Sequence, residues 1–317
     1  MAAFYTFEDL SGTPTKGTSD NPYDGLIEAC NNDCAQIRAR YNTHRTNRND
    51  QQREKFLAPE FPGVTVDEIL ARLEDPLIEP GFKDWRHSLV FWARPPQKVR
   101  SLIAQVQEKL KEVVPNLWTM PSSDLHMTAL EITHSLTAPE IDTLADKMLP
   151  MLPLAQEITE HTLGHRARLV KPLLCYDAQA LALSFLPATP GDPGRSKNED
   201  AYTYHHLRRD LYSKVQAIGV DVASRYVIPS AHLTIGRFIT RGDIETSVGE
   251  VDRSKVERFI TTIDALNEWL QTEYWPKEGR IEGGGQWIVG EGIGLELRKG
   301  ALWYGSGGET VHLGRGF

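Results

Sequence analysis

Ile228-Pro229-Ser230-Ala231-His232-Leu233-Thr234-Ile235-Gly236-Arg237 reads as a short turn followed by an alternating, strand-like run. Side chains two residues apart on a strand leave the same face, so His232 stands beside Thr234. A second stretch, Met120-Pro121-Ser122-Ser123-Asp124-Leu125-His126-Met127-Thr128-Ala129-Leu130, repeats the plan and sets His126 beside Thr128. Each copy offers one imidazole and one hydroxyl. Two such pairs facing one cleft supply a general base, a general acid and two hydroxyl donors suited to a phosphate.

Chance sets the standard for this repeat. With 10 histidines and roughly one residue in eight being Ser or Thr, about one His-x-Ser/Thr triplet is expected by accident. The third triplet, His44-Arg45-Thr46, lies in the polar stretch 40–53 without apolar alternation and reads as solvated helix or loop. The other two share an apolar-Pro-Ser lead-in and a strand-like continuation. They lie 106 residues apart, room for one α/β lobe per motif.

Working outward, residues 1–20 are rich in Gly, Thr, Ser and Pro and read as a mobile N-terminal segment. Residues 21–80 read as a helical appendage packed on the main domain, with helices expected over 24–40 and 65–73, the second opened by a Thr65/Glu68 capping box. The main domain is expected over 81–317. Within it, 88–93 reads as a strand, 97–114 as an amphipathic helix, 125–133 as the first motif strand and 139–149 as a helix. Strands 166–176 and 180–186 form a hairpin by spacing, 187–200 an exposed loop with the composition of a lid, 204–218 a helix, and about 232–239 the second motif strand. A helix over 256–272 and short strands at 286–289 and 294–297 close the chain. This order implies an α+β fold with strands paired in antiparallel sheets. No GxGxxG or phosphate-loop pattern follows a strand.

Composition narrows the partners. A net charge of −8 argues against long duplex nucleic acid, because gripping a phosphate backbone requires a basic surface. Nucleotides or RNA ends fit better. No apolar run approaches the roughly 20 residues of a membrane span, and the first ten residues lack a signal-peptide layout, so a cytoplasmic or nuclear monomer without membrane contact is expected. Three cysteines fit a reducing compartment. Neither His161/His165 nor His205-His206 with Asp200 and Asp210 forms a recognised ligand set, so no metal and no cofactor is expected.

The two HxT motifs, each on a strand and about 100 residues apart, resemble the two-histidine (2H) phosphoesterase superfamily, which includes cyclic nucleotide phosphodiesterases and 2′-5′ RNA ligase-like proteins. The resemblance covers residues from about Phe82 onward and leaves 1–80 outside it. It implies two pseudo-symmetric lobes, each an antiparallel sheet flanked by helices, around a central groove. It also implies His126 and His232 as the catalytic pair, with Thr128 and Thr234 contacting phosphate. Arg237 matches the HxTxxR form of the ligase-like branch, but strict alternation points it away from His232 unless a bulge intervenes. The first motif carries Glu131 at that spacing.

The activity expected from the resemblance is hydrolysis of 2′,3′-cyclic phosphates or 2′-5′ linkages, with His232 activating water and His126 protonating the departing oxygen. A near-symmetric site leaves those two roles exchangeable. The alternative is a module that binds a nucleotide or RNA end without turnover. Trp118 and Tyr226, each beside a proline turn, are candidates for base stacking, whereas Trp92 reads as core. Arg208 and Arg209 read as a solvated helix face, and His312 as structural.

Overall fold

Apolar alternation along the chain is satisfied by a single antiparallel sheet. The computed structural model describes residues 8–12, 19–148, 152–194, 199–223, 226–277, 280, 282–301 and 307–317. Its strands are β1 (His87–Ala93), β2 (Trp118–Thr119), β3 (Met127–Leu136), β4 (Arg168–Tyr176), β5 (Ala180–Pro187), β6 (Ala231–Arg237), β7 (Gln286–Ile288), β8 (Ile293–Ala301) and β9 (Gly308–Arg315). They run in the order β7-β4-β5-β6-β3-β1-β8-β9, with β2 beside β6. The seam between β6 and β3 divides this order into two four-stranded halves, each ending in a motif strand. The expected α+β, two-lobed architecture is therefore present, and the two antiparallel halves form one continuous sheet.

The same grammar builds both halves. In one, β1 leads through helix α4 (Gln97–Lys111) to β3; in the other, β5 leads through α7 (Tyr204–Ala217) to β6. Val99, Leu102, Ile103, Val106 and Leu110 make the buried stripe of α4 at helical spacing. Each helix reaches across the seam: α4 touches β6 and α7 touches β3. One face of the sheet is apolar, with Phe91, Met127, Ala129, Leu174, Leu183, Leu233 and Leu297 almost fully buried. Each large side chain buried there is worth roughly 1.5–3 kcal/mol. Among the described residues, this region also holds the α-helices α5 (Ala138–Met148), α6 (Leu152–Thr159) and α8 (Arg253–Trp269).

The N-terminal region departs from its expected form. The helix expected over 24–40 is broken into α1 (Asp24–Ala29) and α2 (Cys34–Leu57). Asn31 and Asn32 adopt left-handed backbone, which asparagine tolerates, and the Asp33 carboxylate then caps α2 by accepting from the Gln36 amide. The third helix, α3 (Glu68–Glu74), is capped by Asp67 rather than Thr65, because the Thr65 amide is taken by the Ala178 carbonyl at the β4–β5 turn.

Helix α2 contradicts the solvated reading of 44–46 at two of its three residues, His44 and Arg45 being 2% and 3% exposed, while Thr46 is exposed. Arg45 Nη1 donates to the carbonyls of Lys171 and Ser184, and Asn49 donates to the Leu174 carbonyl. At the far end Phe56 is fully buried against Phe61, Tyr176 and Phe259. Much of the buried stripe of α2 is polar, so apolar periodicity alone does not reveal it.

Other differences are local. Strand β9 was not expected; His312 on it hydrogen-bonds Thr159 Oγ1 at 2.9 Å. Of the N-terminal segment expected to be mobile, 1–7 and 13–18 lie outside the described residues, while the Leu10 amide donates to His44 Nδ1. Of the lid-like loop, 195–198 lie outside them. Among the described residues no helix is long and apolar enough to cross a membrane.

Candidate active site

The sheet register brings the two motifs together. Met127 pairs with Leu233 across the β3–β6 seam, and both face the apolar core. One step to either side, His126 lies opposite Thr234 and Thr128 opposite His232. All four side chains thus leave the polar face. The histidines are diagonal neighbours, a relation that separates residues by about 7–8 Å.

Both motif strands carry a bulge at the same place. On β3, Phe91 pairs with Leu130 and Trp92 with Thr128, so Ala129 is the extra residue. On β6, Leu181 pairs with Gly236 and Ala182 with Thr234, so Ile235 is extra. Each bulge falls three residues after the histidine and shifts the alternation by one. Arg237 therefore returns to the face of His232 and Thr234, and Glu131 to that of Thr128. The glycine at 236 lets β2 approach closely, since a Cβ there would meet the Leu117 side chain at 3.0 Å and the Trp118 carbonyl at 3.1 Å.

His126 is held by backbone and rings. Its Nδ1 lies 2.7 Å from the Asp124 carbonyl, an acceptor only, so Nδ1 carries the proton and Nε2 keeps a lone pair. The imidazole stacks on Trp92 with centroids 3.7 Å apart. Behind that indole stand Arg94 and Arg298, at 4.9 and 5.0 Å from its ring. Glu296 pairs with both arginines, and Arg94 also reaches the Ser123 and Leu125 carbonyls. Burial, seconded by the two guanidinium charges, pushes the His126 pKa down to about 3.

His232 is held by hydroxyls. Its Nδ1 lies 2.9 Å from Tyr226 Oη and 3.0 Å from Ser230 Oγ. On the neighbouring strand Ser184 pairs with His232 and Ala182 with Thr234. Burial is again the first cause of a depressed pKa, here about 4, followed by the charges of Arg48, Arg208, His44 and Arg237. Tyr226 is pushed up to about 12 by burial, against the opposing pull of Arg208.

The remaining sequence candidates fall as follows. Arg237 pairs with Asp67 at 3.0 Å, which ties the second motif strand to the N-terminal region. Trp118 lies on β2 opposite Arg237. Tyr226 is in contact with the catalytic candidate itself, its ring meeting His232 edge-on at 5.8 Å. Arg208 corrects the solvated-face reading, for it is 1% exposed and bonded to three carbonyls. His205 and His206 are structural. His205 bridges Tyr41 and the Tyr23 carbonyl, while His206 Nδ1 accepts from the Thr203 amide in the capping box of α7. Among the described residues no group of His, Cys, Asp and Glu is arranged to hold a metal ion.

Sequence reasoning missed Arg48 and His44, which α2 brings within electrostatic reach of His232; Arg48 is set by Asp177 at 2.6 Å. A signal existed, because Ile37, Tyr41, His44, Arg45, Gln52 and Phe56 follow helical spacing once polar residues are counted. It also missed the shared anchor two residues before each histidine, Asp124 in one motif and Ser230 in the other.

No protein-family model and no curated protein sequence matches this chain. Among solved structures it is similar to TT0787 of Thermus thermophilus, at 16% identity over 71% of this chain and 94% of that one, with a TM-score of 0.38. It is also similar to Usb1 of Kluyveromyces marxianus with uridine monophosphate, at 15% identity over 72% of this chain and 98% of that one, with a TM-score of 0.33. The resemblance to the 2H phosphoesterase superfamily rests on the two HxT motifs.

Proposed function

We propose that this protein is a two-histidine phosphodiesterase that opens 2′,3′-cyclic phosphates of nucleotides or RNA ends, 2′-5′ linkages being the related substrate. The observation that supports it is the seam itself: two imidazoles and two threonine hydroxyls on one face, with both histidines anchored through Nδ1. The charge pattern agrees. The chain carries a net charge of −8, yet Arg48, Arg208 and Arg237 act on His232, and Arg94 and Arg298 on His126. An anion is drawn to that field.

The Nδ1 partners favour roles opposite to those first expected. With Nδ1–H committed to a carbonyl, neutral His126 presents a lone pair at Nε2, the state of a general base. It removes a proton from water as the water oxygen attacks phosphorus. The P–O bond opposite breaks, and His232, protonated at Nε2, gives its proton to the leaving ribose oxygen. The phosphomonoester departs, and the two imidazoles return to their starting states by exchange with solvent. Thr128 and Thr234 donate to the non-bridging oxygens, where charge develops. Arrival of the substrate's negative charge offsets the surrounding guanidinium groups and lifts the His232 pKa, so proton uptake accompanies binding.

One feature favours the alternative, a module that binds without turnover: burial and the nearby guanidinium charges lower both imidazole pKa values, which disfavours a resident acid. Product analysis with a panel of 2′,3′-cyclic mononucleotides and short RNAs of defined ends, in a strong chelator, separates the readings. Monoester formation by the parent protein, absent in a His126→Ala, His232→Ala double variant, supports catalysis. Binding of the panel without product supports the module.

A further inference from the structure

The buried cation Arg208 belongs to neither motif, yet it touches both. Its guanidinium donates Nε–H to the Ala129 carbonyl at 3.3 Å, Nη1–H to the Ile228 carbonyl at 2.8 Å and Nη2–H to the Tyr226 carbonyl. Ala129 is the bulge residue directly after Thr128 on β3. Tyr226 and Ile228 lie in the segment that leads into the turn before His232 on β6. The rings of Tyr23, Tyr226 and Tyr204 surround the guanidinium at 4.6, 5.3 and 5.9 Å. Tyr204, one helical turn before Arg208 on α7, donates its hydroxyl to the Thr128 carbonyl at 2.8 Å.

No carboxylate among the described residues pairs with this charge. A buried cation without a counter-ion is stable only where carbonyl dipoles and ring faces replace water, so those groups must keep their places around it. The planar fork fixes three carbonyls at once, a task that a flexible ammonium cannot duplicate. The Tyr226 carbonyl is held by Arg208 and by the Tyr23 hydroxyl, while the Tyr226 hydroxyl reaches His232 Nδ1. A connected path thus runs from the bulge of one motif to the imidazole of the other.

We infer that Arg208 is a positioning residue that sets the first motif strand against the second and, through Tyr226, aims the His232 imidazole at the phosphate held between the two pairs. This rests on the two-histidine phosphodiesterase reading. A displacement of about 1 Å at such a site is enough for about a 100-fold loss of rate.

The test compares Arg208→Lys and Arg208→Ala, the latter with and without added guanidinium chloride at sub-denaturing concentration. Folding is checked by thermal melting, and the readouts are kcat, KM and the ¹⁵N resonances of the His232 ring in the ligand-free protein. The expected result for Arg208→Lys is about a 100-fold lower kcat with KM within about 3-fold, and a shifted His232 Nδ1 resonance. If Arg208→Ala does not fold, Arg208→Lys alone decides the inference, through its kcat and its His232 resonance. Folded variants with parent-like His232 resonances and kcat within about 3-fold would overturn the inference and leave Arg208 a stability residue. The ring resonances are read without turnover, so a parent protein inactive on every substrate would sink the phosphodiesterase reading while the positional role of Arg208 was still decided.

Discussion

The two histidines occupy equivalent places in the two lobes and are held by different chemistry. His126 is fixed by a backbone carbonyl and stacked on an indole backed by two arginines. His232 is fixed by two side-chain hydroxyls and lies under charges from α2, α7 and its own strand. The carbonyl admits one tautomer, whereas the hydroxyls can donate or accept and so serve either protonation state. Pseudo-symmetry in the backbone thus coexists with a division of labour in the side chains.

The largest expected effect comes from removing either ring. His126→Ala and His232→Ala should each lower kcat by about 10²–10⁴-fold on a cyclic nucleotide. Their pH–rate profiles distinguish them, because His126→Ala loses the acidic limb belonging to the base and His232→Ala the alkaline limb belonging to the acid. Identical residual profiles would break the division of labour.

Acid stability probes both halves next. The folded pKa values of His126 and His232, about 3 and about 4, lie below the ordinary 6.5. The unfolded chain therefore binds more protons between those values. The stabilisation is fully present above pH 6.5 and is lost as pH falls through that window, by up to about 1.4 kcal/mol per pH unit per histidine. Denaturant midpoints measured from pH 7 to pH 4 should fall less steeply in His126→Gln than in the parent.

A smaller effect sharpens the contrast at the Nδ1 anchors. Ser230→Ala with Tyr226→Phe removes both partners of His232 and should lower kcat by about 10–100-fold. Asp124→Ala removes a side chain but keeps the carbonyl that holds His126, so kcat should stay within about 2-fold. Smallest is Arg48→Gln, which should raise the His232 pKa measured by NMR titration and leave that of His126 unchanged.

The sequence made the motif pairs legible because a two-residue period survives any tertiary context, and the spacing left room for two lobes. It did not make the bulges legible. Ala129-Leu130 and Ile235-Gly236 read as ordinary alternation, and only pairing with β1 and β5 shows that Glu131 and Arg237 return to the polar face. The role of α2 was hidden for a different reason. Its buried stripe is built from His44, Arg45 and Gln52 as well as Tyr41 and Phe56, and burial of polar groups depends on carbonyls that only the folded sheet supplies. Arg208 was misread on the same ground.

Ring-nitrogen NMR of the ¹⁵N-histidine-labelled protein at neutral pH, during titration with a nucleoside 2′- or 3′-monophosphate, tests whether one phosphate sits between both imidazoles. In the free protein both rings should be neutral. On binding, the Nε2 signals of His126 and His232 should move together along one saturation curve, with His232 taking up a proton. Movement of only one ring, or of neither at saturating ligand, would contradict a shared phosphate site.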